Sequence, residues 1–482
     1  MEWLHRIYNV VWGVPALVLI VFVGVHLSVR TGCAQLRLLP KALKCFFSRM
    51  RGTQKNGEGI SSFQALCTAL AATVGTGNLA GVAGAIALGG PGAIFWMWLC
   101  GLLGMIIKFA EATLALRYRV KNTAGEWIGG PMYMIREGLP LRFRPLAGMY
   151  AFFGVVAAFG VGNATQINTV ISSAADTLAS FGLPVVWKGK LLMGLLLAPL
   201  IGAMLLGGAK RIGQIAERMV PLAAGLYLLL GAFVLVLRFS EIDNAILAIV
   251  RGAWDPNAVT GGMIGSAMVA MRIGISRGVF TNEAGMGTAS IAHASADVRH
   301  PVEQGLMGIV EVFLDTIVIC TVTALVILCS GVEIPYGWDV GVRLTSAAFA
   351  AVLGPWVSIV LTISLCLFAL ATVLGWGLYG IRCAQYLFGD GVWKKFVALQ
   401  IVTVVIGAVL QADTVWLLAE IVNGLMAIPN LIALWVLTPE LIVIYRNYLY
   451  GGSYENFYQR QPMRSISYAY VPPSGGGGQA GR

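Results

Sequence analysis

Apolar residues in this chain are gathered into long runs, with polar residues confined to the joints between them. A bilayer crossing takes about 20 mostly apolar residues. Eleven runs approach or exceed that length: residues 8–29, 63–88, 93–116, 146–170, 191–208, 215–237, 262–294, 305–330, 346–379, 395–411 and 414–445. The pattern predicts an all-α polytopic membrane protein. A basic stretch, not a small-residue cleavage site, follows the first run, so that run reads as a retained span and not as a leader. Beyond about Tyr448 the chain turns polar and ends Ser474-Gly-Gly-Gly-Gly-Gln-Ala-Gly-Arg482. Residues 446–482 therefore read as a disordered cytoplasmic tail, with too little apolar content to fold.

Composition agrees about the solvent. Charged residues make up 11% of the 482 and hydrophobic ones 58%, with 60 glycines besides, against roughly 25% charged in soluble domains. The eight cysteines contain no C-x-x-C pair and there are only four histidines, so no zinc, haem or iron–sulfur spacing is present and no cofactor is expected. A net charge of +11 would suggest nucleic acid in a soluble chain, but no recognition module accompanies it, and no nucleic-acid partner is expected.

The basic residues instead report topology. With strict alternation of the runs, and with Arg218 and Lys395 at run ends counted with the adjoining loops, 24 of the 33 lysines and arginines fall on the side of loops 30–62 and 117–145, six fall on the other side and three lie deeper within runs. Cytoplasmic loops carry such an excess. The expected arrangement is a multi-pass protein of the cell membrane, amino terminus outside and carboxyl terminus in the cytoplasm, with the lipid bilayer as its surroundings.

Two runs contain helix-breaking clusters near their middle. In the second, Gly75-Thr-Gly-Asn78 places two glycines and a side chain that competes for backbone hydrogen bonds about 20 Å of helix in from Phe63. In the seventh, Arg272-Ile-Gly-Ile-Ser-Arg-Gly278 predicts a break near 274–278. Unpaired backbone is tolerated at mid-membrane only where protein buries it or where it lines a cavity. Without the first run, ten remain, and the interrupted helices open each group of five. Because five is odd, the groups enter the membrane from opposite sides, which is the pattern of an inverted-repeat secondary transporter. The expected organisation is 1–62 for an extra amino-terminal helix and basic loop, 63–238 for one repeat, 262–445 for the second and 446–482 for the tail. Gly81 and Gly84 read more simply as close helix packing.

These residues carry a resemblance. Gly75-Thr-Gly-Asn-Leu-Ala-Gly-Val82 followed by Ala87-Leu-Gly-Gly-Pro-Gly-Ala-Ile-Phe-Trp-Met-Trp98 resembles the signature of the alanine/glycine:cation symporter family. Trp12-Gly-Val-Pro15, Arg30-Thr-Gly32, Gly129-Gly-Pro-Met-Tyr133, Arg277-Gly-Val-Phe-Thr-Asn-Glu-Ala-Gly285, His293 and Leu374-Gly-Trp-Gly-Leu-Tyr-Gly380 look like further family blocks in order along the chain. The resemblance implies eleven transmembrane helices on the leucine-transporter-type 5+5 inverted-repeat fold with one extra amino-terminal helix. It also implies cotransport of alanine or glycine with sodium, or alternatively with protons.

The chemistry of an amino acid then assigns candidate residues. Amides freed at Thr76 and Gly77, with Asn78 beside them, can hold a carboxylate at a half-helix terminus. Carbonyls near Gly274 and Ile275, or a polar side chain, can accept from the ammonium. The resemblance places the glutamine Gln166 at the substrate and makes Trp376 the wall that keeps the pocket small; helix packing is the alternative role for Trp376. By similarity to the Ala-Val-Gly-x-Gly-Asn pattern of neurotransmitter-type sodium symporters, the carbonyls of Ala71 and Val74 would face a sodium ion, with Phe368 to Thr372 opposite. Related sequences pair two hydroxyl residues there, whereas this chain has Ala371 followed by Thr372.

Charges inside the runs each cost about 3 kcal/mol or more at mid-membrane. Lys108 and Glu111 are spaced to pair along one helix. Glu283 could reach Arg277 only across irregular backbone, and Glu311 and Asp315 would be protonated, paired to Arg272 or Arg277, or exposed in a vestibule. No Ser/His/Asp, paired-Asp or His-rich constellation is visible, so no enzyme is expected. A membrane sensor that binds an amino acid without moving it is the remaining alternative, and the short Gly-rich tail offers it no output domain.

Overall fold

The computed structural model describes residues 3, 6, 14–51, 59–180, 182–339, 341–410 and 412–451. The expected start of the first run at residues 8–13 and the tail from 452 onward lie outside the described residues. In chain order, the first helices are α1 (Val14–Thr31), α2 (Leu39–Arg51), α3 (Ser62–Thr73), α4 (Val82–Gly89), α5 (Gly92–Arg117), α6 (Pro131–Gly138), α7 (Arg144–Phe159), α8 (Thr165–Ser180), α9 (Trp187–Leu205) and α10 (Gly208–Leu237). They continue with α11 (Ile242–Gly252), α12 (Ala267–Asn282), α13 (Thr288–His293), α14 (Pro301–Val312), α15 (Thr321–Cys329), α16 (Val342–Leu353), α17 (Val357–Phe388), α18 (Trp393–Gly407), α19 (Ala412–Val436) and α20 (Thr438–Leu449). Wide π turns join α3 to α4, α7 to α8 and α14 to α15, over Gly77–Gly81, Gly160–Ala164 and Phe313–Cys320.

Among the described residues, six helices are long and apolar enough to cross a membrane, or eight when each of two bent pairs counts as one span. The bent pairs are Ser62–Thr73 with Gly77–Gly89, at 49°, and Glu420–Val436 with Thr438–Leu449, at 60°. The remaining expected crossings fall on shorter helices: α1, the α12–α13 pair and α18. One expected run, 346–379, is divided. Gly354 takes a left-handed φ of 86° ahead of Pro355 and separates α16 from α17, because that backbone sign is open chiefly to glycine and proline has no N–H to continue a helix.

Local capping starts the helices that matter most. Ser61 and Gln64 form a reciprocal capping box at the start of α3, with Ser61 Oγ accepting from the Gln64 amide at 3.1 Å and Gln64 Oε1 accepting from the Ser61 amide at 3.2 Å. Ser266 Oγ accepts from the Val269 amide at the start of α12. At the start of α14 the His300 Nδ1 accepts from the Val302 amide at 3.2 Å. Burial pulls this imidazole down to about 4, so it stays neutral and keeps the lone pair that the cap requires.

One apolar core runs through the bundle. At its centre α5 packs against α12 and α14, while α17 packs against α3, α7 and α10. Glycines set these approaches. A methyl group at Gly274 would fall onto the Ala93 carbonyl, and one at Gly278 would meet the Cys100 side chain at 3.1 Å. At the end that carries loops 30–62 and 117–145, called the basic end here, β1 (Ile60–Ser61) pairs in parallel with β4 (Ala296–Asp297). β2 (Val120–Lys121) pairs antiparallel with β3 (Trp127–Ile128).

Candidate substrate and cation site

The first half of the site is made where α3 stops. Its last turn ends at Val74 in an extended conformation, φ −78° and ψ 102°, and helical backbone resumes only at Thr76 and the π turn that follows. Asn78 Oδ1 accepts from the Gly75 amide at 2.9 Å, so an amide side chain closes the turn in place of a backbone carbonyl. The other end of that side chain, Nδ2, donates to Asp315 Oδ1 at 2.7 Å on the π turn after α14. Gly77 and Gly81 lie against Thr281 of α12, each 3.4 Å from it at the position a methyl would take, and the two interrupted helices cross here.

The second half forms where α12 stops. This helix is continuous through Gly274, Ile275 and Gly278 and ends only at Asn282, which corrects the expected break near 274–278. The glycines there serve close packing on α5. Chain direction changes at Glu283, a non-glycine residue with φ 52°, followed by Gly285 at 91° and Gly287 at 77°. Such backbone must be held from outside. Glu111 of α5 does so, with Oε1 accepting from the Gly285 amide at 3.0 Å, the Gly287 amide at 3.1 Å and Asn430 Nδ2 at 2.8 Å. The Glu283 carboxylate accepts from Trp376 Nε1 at 2.9 Å and from Thr288 Oγ1 at 2.6 Å.

A cavity of about 20 Å³ lies between these breaks, lined by Ala72, Thr73, Gly75, Thr76, Gly77, Val161, Gln166, Phe280, Glu283, Thr372, Trp376 and Asn423. Thr76 Oγ1 donates to Gln166 Oε1 at 3.3 Å, and Gln166 Nε2 donates to the Val161 carbonyl at 3.2 Å. The Trp376 side chain is buried and packed onto Gly162, where any Cβ would overlap it. Beside the cavity the Thr372 hydroxyl lies 2.9 Å from the Ala71 carbonyl of α3 and 3.0 Å from the Phe368 carbonyl of α17. Gly75 leaves it room, since a methyl there would stand 2.8 Å from the same hydroxyl. Three uncharged hard oxygens from two helices suit an alkali cation. Val74, which ends α3 three residues after Ala71, carries the fourth expected oxygen, a carbonyl.

Residues 1–456 match the profile of the sodium:alanine symporter family. The chain belongs to this family. The sodium/alanine symporter AgcS of Methanococcus maripaludis is similar, at 43% identity over 91% of this chain and 95% of its own length. The probable sodium/glutamine symporter GlnT of Bacillus subtilis is 36% identical over 91% of this chain and 89% of its own. Among solved structures, MhsT in complex with L-phenylalanine superposes with a TM-score of 0.56 at 16% identity, covering 81% of this chain and 99% of that one. The chain thus shares its largely helical fold with that protein. Membership of the sodium:alanine symporter family makes the chain a multi-pass, cation-coupled amino acid symporter.

Within this family member, the cavity brings together Thr76, Gly77, Gln166 and Trp376 of the expected substrate residues. Gly274 and Ile275 are not in its lining: the first abuts the Ala93 carbonyl, and the carbonyl of the second faces Cys100 Sγ at 3.7 Å. Asn78 is also outside the lining, its side chain spent on Gly75 and Asp315. The buried charges pair otherwise than their spacing suggested. Lys108 Nζ meets Glu311 Oε1 at 2.8 Å across helices instead of Glu111, and His293 Nε2 meets Glu311 Oε2 at 3.0 Å. Asp315 is held by Asn78 and Thr316, while Arg277 pairs with Asp339 at 3.0 Å and with Glu420 at 3.3 Å, not with Glu283.

Among the lining residues not assigned from sequence are Phe280, Glu283 and Asn423. The first two lie inside a block read as a family signature, in which Glu283 reads only as a buried charge within reach of Arg277 across irregular backbone. Asn423 is a lone amide in an apolar run, without a neighbouring motif to mark it.

Proposed function

We propose that this chain carries out sodium-coupled symport of small neutral amino acids, alanine or glycine, by alternating access across the cell membrane. The observation that carries the reading is Thr372. Its side chain lines the cavity and, on the same atom, joins the Ala71 and Phe368 carbonyls, so a cation held there would share a wall with the amino acid. A sodium ion would take its oxygens from Ala71, Phe368, Thr372 and Val74. The substrate carboxylate would lie at Thr76 and Gly77, where a helix resumes and its first amides and dipole favour an anion.

Trp376 keeps the space small. Its ring cannot retreat toward α7 because Gly162 already touches it, which favours alanine or glycine over the longer side chain in the name of the Bacillus subtilis relative. On the opposite side from the basic end, the Arg277 pairs with Asp339 and Glu420 lie one turn beyond Phe280 on α12 and would have to part for entry. In the wider arrangement, eleven spans form an extra amino-terminal helix plus two inverted repeats, 63–238 and 262–445. The basic end faces the cytoplasm and the amino terminus is outside.

Uptake of labelled alanine into proteoliposomes, driven separately by sodium and by proton gradients, tests the reading. Accumulation under sodium alone is expected. Accumulation under protons alone would make the chain a proton symporter, and none under either gradient would leave a non-transporting sensor.

A further inference from the structure

An amino acid zwitterion needs acceptors for its ammonium, and the Gly274 and Ile275 carbonyls are not in the cavity. Two other lining residues offer acceptors. Glu283 stands at the end of α12, and each of its carboxylate oxygens accepts one hydrogen bond, Oε1 from Trp376 and Oε2 from Thr288. A carboxylate oxygen can accept two, so lone pairs remain on both. Asn423, from α19, is 2% exposed, and its Oδ1 is buried with no hydrogen-bond partner among the described residues. An acceptor buried in that state is unfavourable, and a donor on the ligand would relieve it.

Position on the helices agrees. Asn423 follows Glu420 by three residues on α19, and Phe280 follows Arg277 by three on α12. Residues so spaced lie on the same helix face in successive turns. Arg277 and Glu420 pair, and Phe280 and Asn423 both line the cavity one turn deeper. Alanine and glycine carry a single donor group, their ammonium. We infer that Glu283 and Asn423 form the ammonium end of the pocket: Glu283 supplies the counter-charge and Asn423 Oδ1 a neutral acceptor, opposite the carboxylate end at Thr76 and Gly77.

This inference rests on the reading of the cavity as an amino acid site. It is tested in proteoliposomes by sodium-driven alanine uptake for wild type, Glu283→Gln, Asn423→Leu and Asn423→Asp, with sodium binding and thermal unfolding measured alongside. A buried hydrogen bond to a charged group is worth about 1.5–3 kcal/mol, roughly tenfold to a hundredfold. Alanine KM should therefore rise by at least about tenfold in Glu283→Gln and Asn423→Leu. The kcat at saturating alanine and sodium binding without alanine should stay within about twofold, and Asn423→Asp, which keeps the acceptor, should restore KM to within about threefold. An unchanged KM in either neutral variant overturns the assignment, as does equal loss of alanine and sodium binding in all three. Where those variants do not fold, the wild type decides by competition between alanine and isobutyrate, which puts a methyl group of similar size where alanine has its ammonium: equal binding overturns the assignment and at least tenfold weaker binding supports it. Absence of any alanine uptake by the wild type would instead reject the reading of the cavity.

Discussion

At the first break the helix is lost over two residues, Val74 and Gly75, and Asn78 closes the gap from within the same segment. At the second, five residues from Glu283 to Gly287 leave helical geometry, three of them at positive φ, and a carboxylate on another helix, Glu111, holds the Gly285 and Gly287 amides. The first break is local and the second is tertiary. Local breaks can be read from their own residues. Tertiary ones need the partner, and nothing near residue 285 in the sequence announces that residue 111 will reach it.

The comparison fails most visibly if Glu111 is dispensable. Replacing Glu111 with Leu removes three hydrogen bonds and leaves two buried amides without an acceptor, at about 1–3 kcal/mol for each. Alanine uptake per correctly inserted molecule should fall by more than about 100-fold. Uptake within tenfold of wild type would show that the second break holds itself.

A smaller effect separates a packing glycine from a break. Gly274→Ala places a methyl on the Ala93 carbonyl and should lower stability by about 1–3 kcal/mol, as overpacking does, with alanine KM unchanged. Thermal unfolding in detergent and uptake kinetics read the two quantities separately. A changed KM with wild-type stability would return Gly274 to the site.

Gentlest of the three is Thr372→Val at the first break. It keeps the shape and removes the hydroxyl between the Ala71 and Phe368 carbonyls. The sodium concentration for half-maximal uptake should rise by about tenfold, or 1.4 kcal/mol, while alanine uptake at saturating sodium persists. An unaltered sodium requirement would remove the cation from this corner.

What the sequence disclosed follows the same division. Runs of apolar residues located the helical segments, because the bilayer demands length and apolarity of every crossing. The Gly-Thr-Gly-Asn turn marked itself, since glycine and asparagine destabilise a helix wherever it is packed. Gly274 and Gly278 sent the same signal and meant something else, because a missing side chain serves backbone freedom and close approach alike. Lys108 was matched to Glu111 by spacing alone; in the fold it turns to Glu311, and Glu111 is left for the loop. Asn423 was illegible because its role depends on which face of α19 meets the cavity.

The short parallel pairing of Ile60 and Ser61 with Ala296 and Asp297 has a mechanical meaning. β1 leads directly into α3 and β4 directly follows α13, so the basic-end halves of the two interrupted helices are tied together at their tips. Ser62 and His293 both bond to Gln304 of α14 as well, at 2.5 Å and 2.7 Å. The two half-helices therefore share a hinge strap, and a force that swings one outward carries the other with it as a single lever.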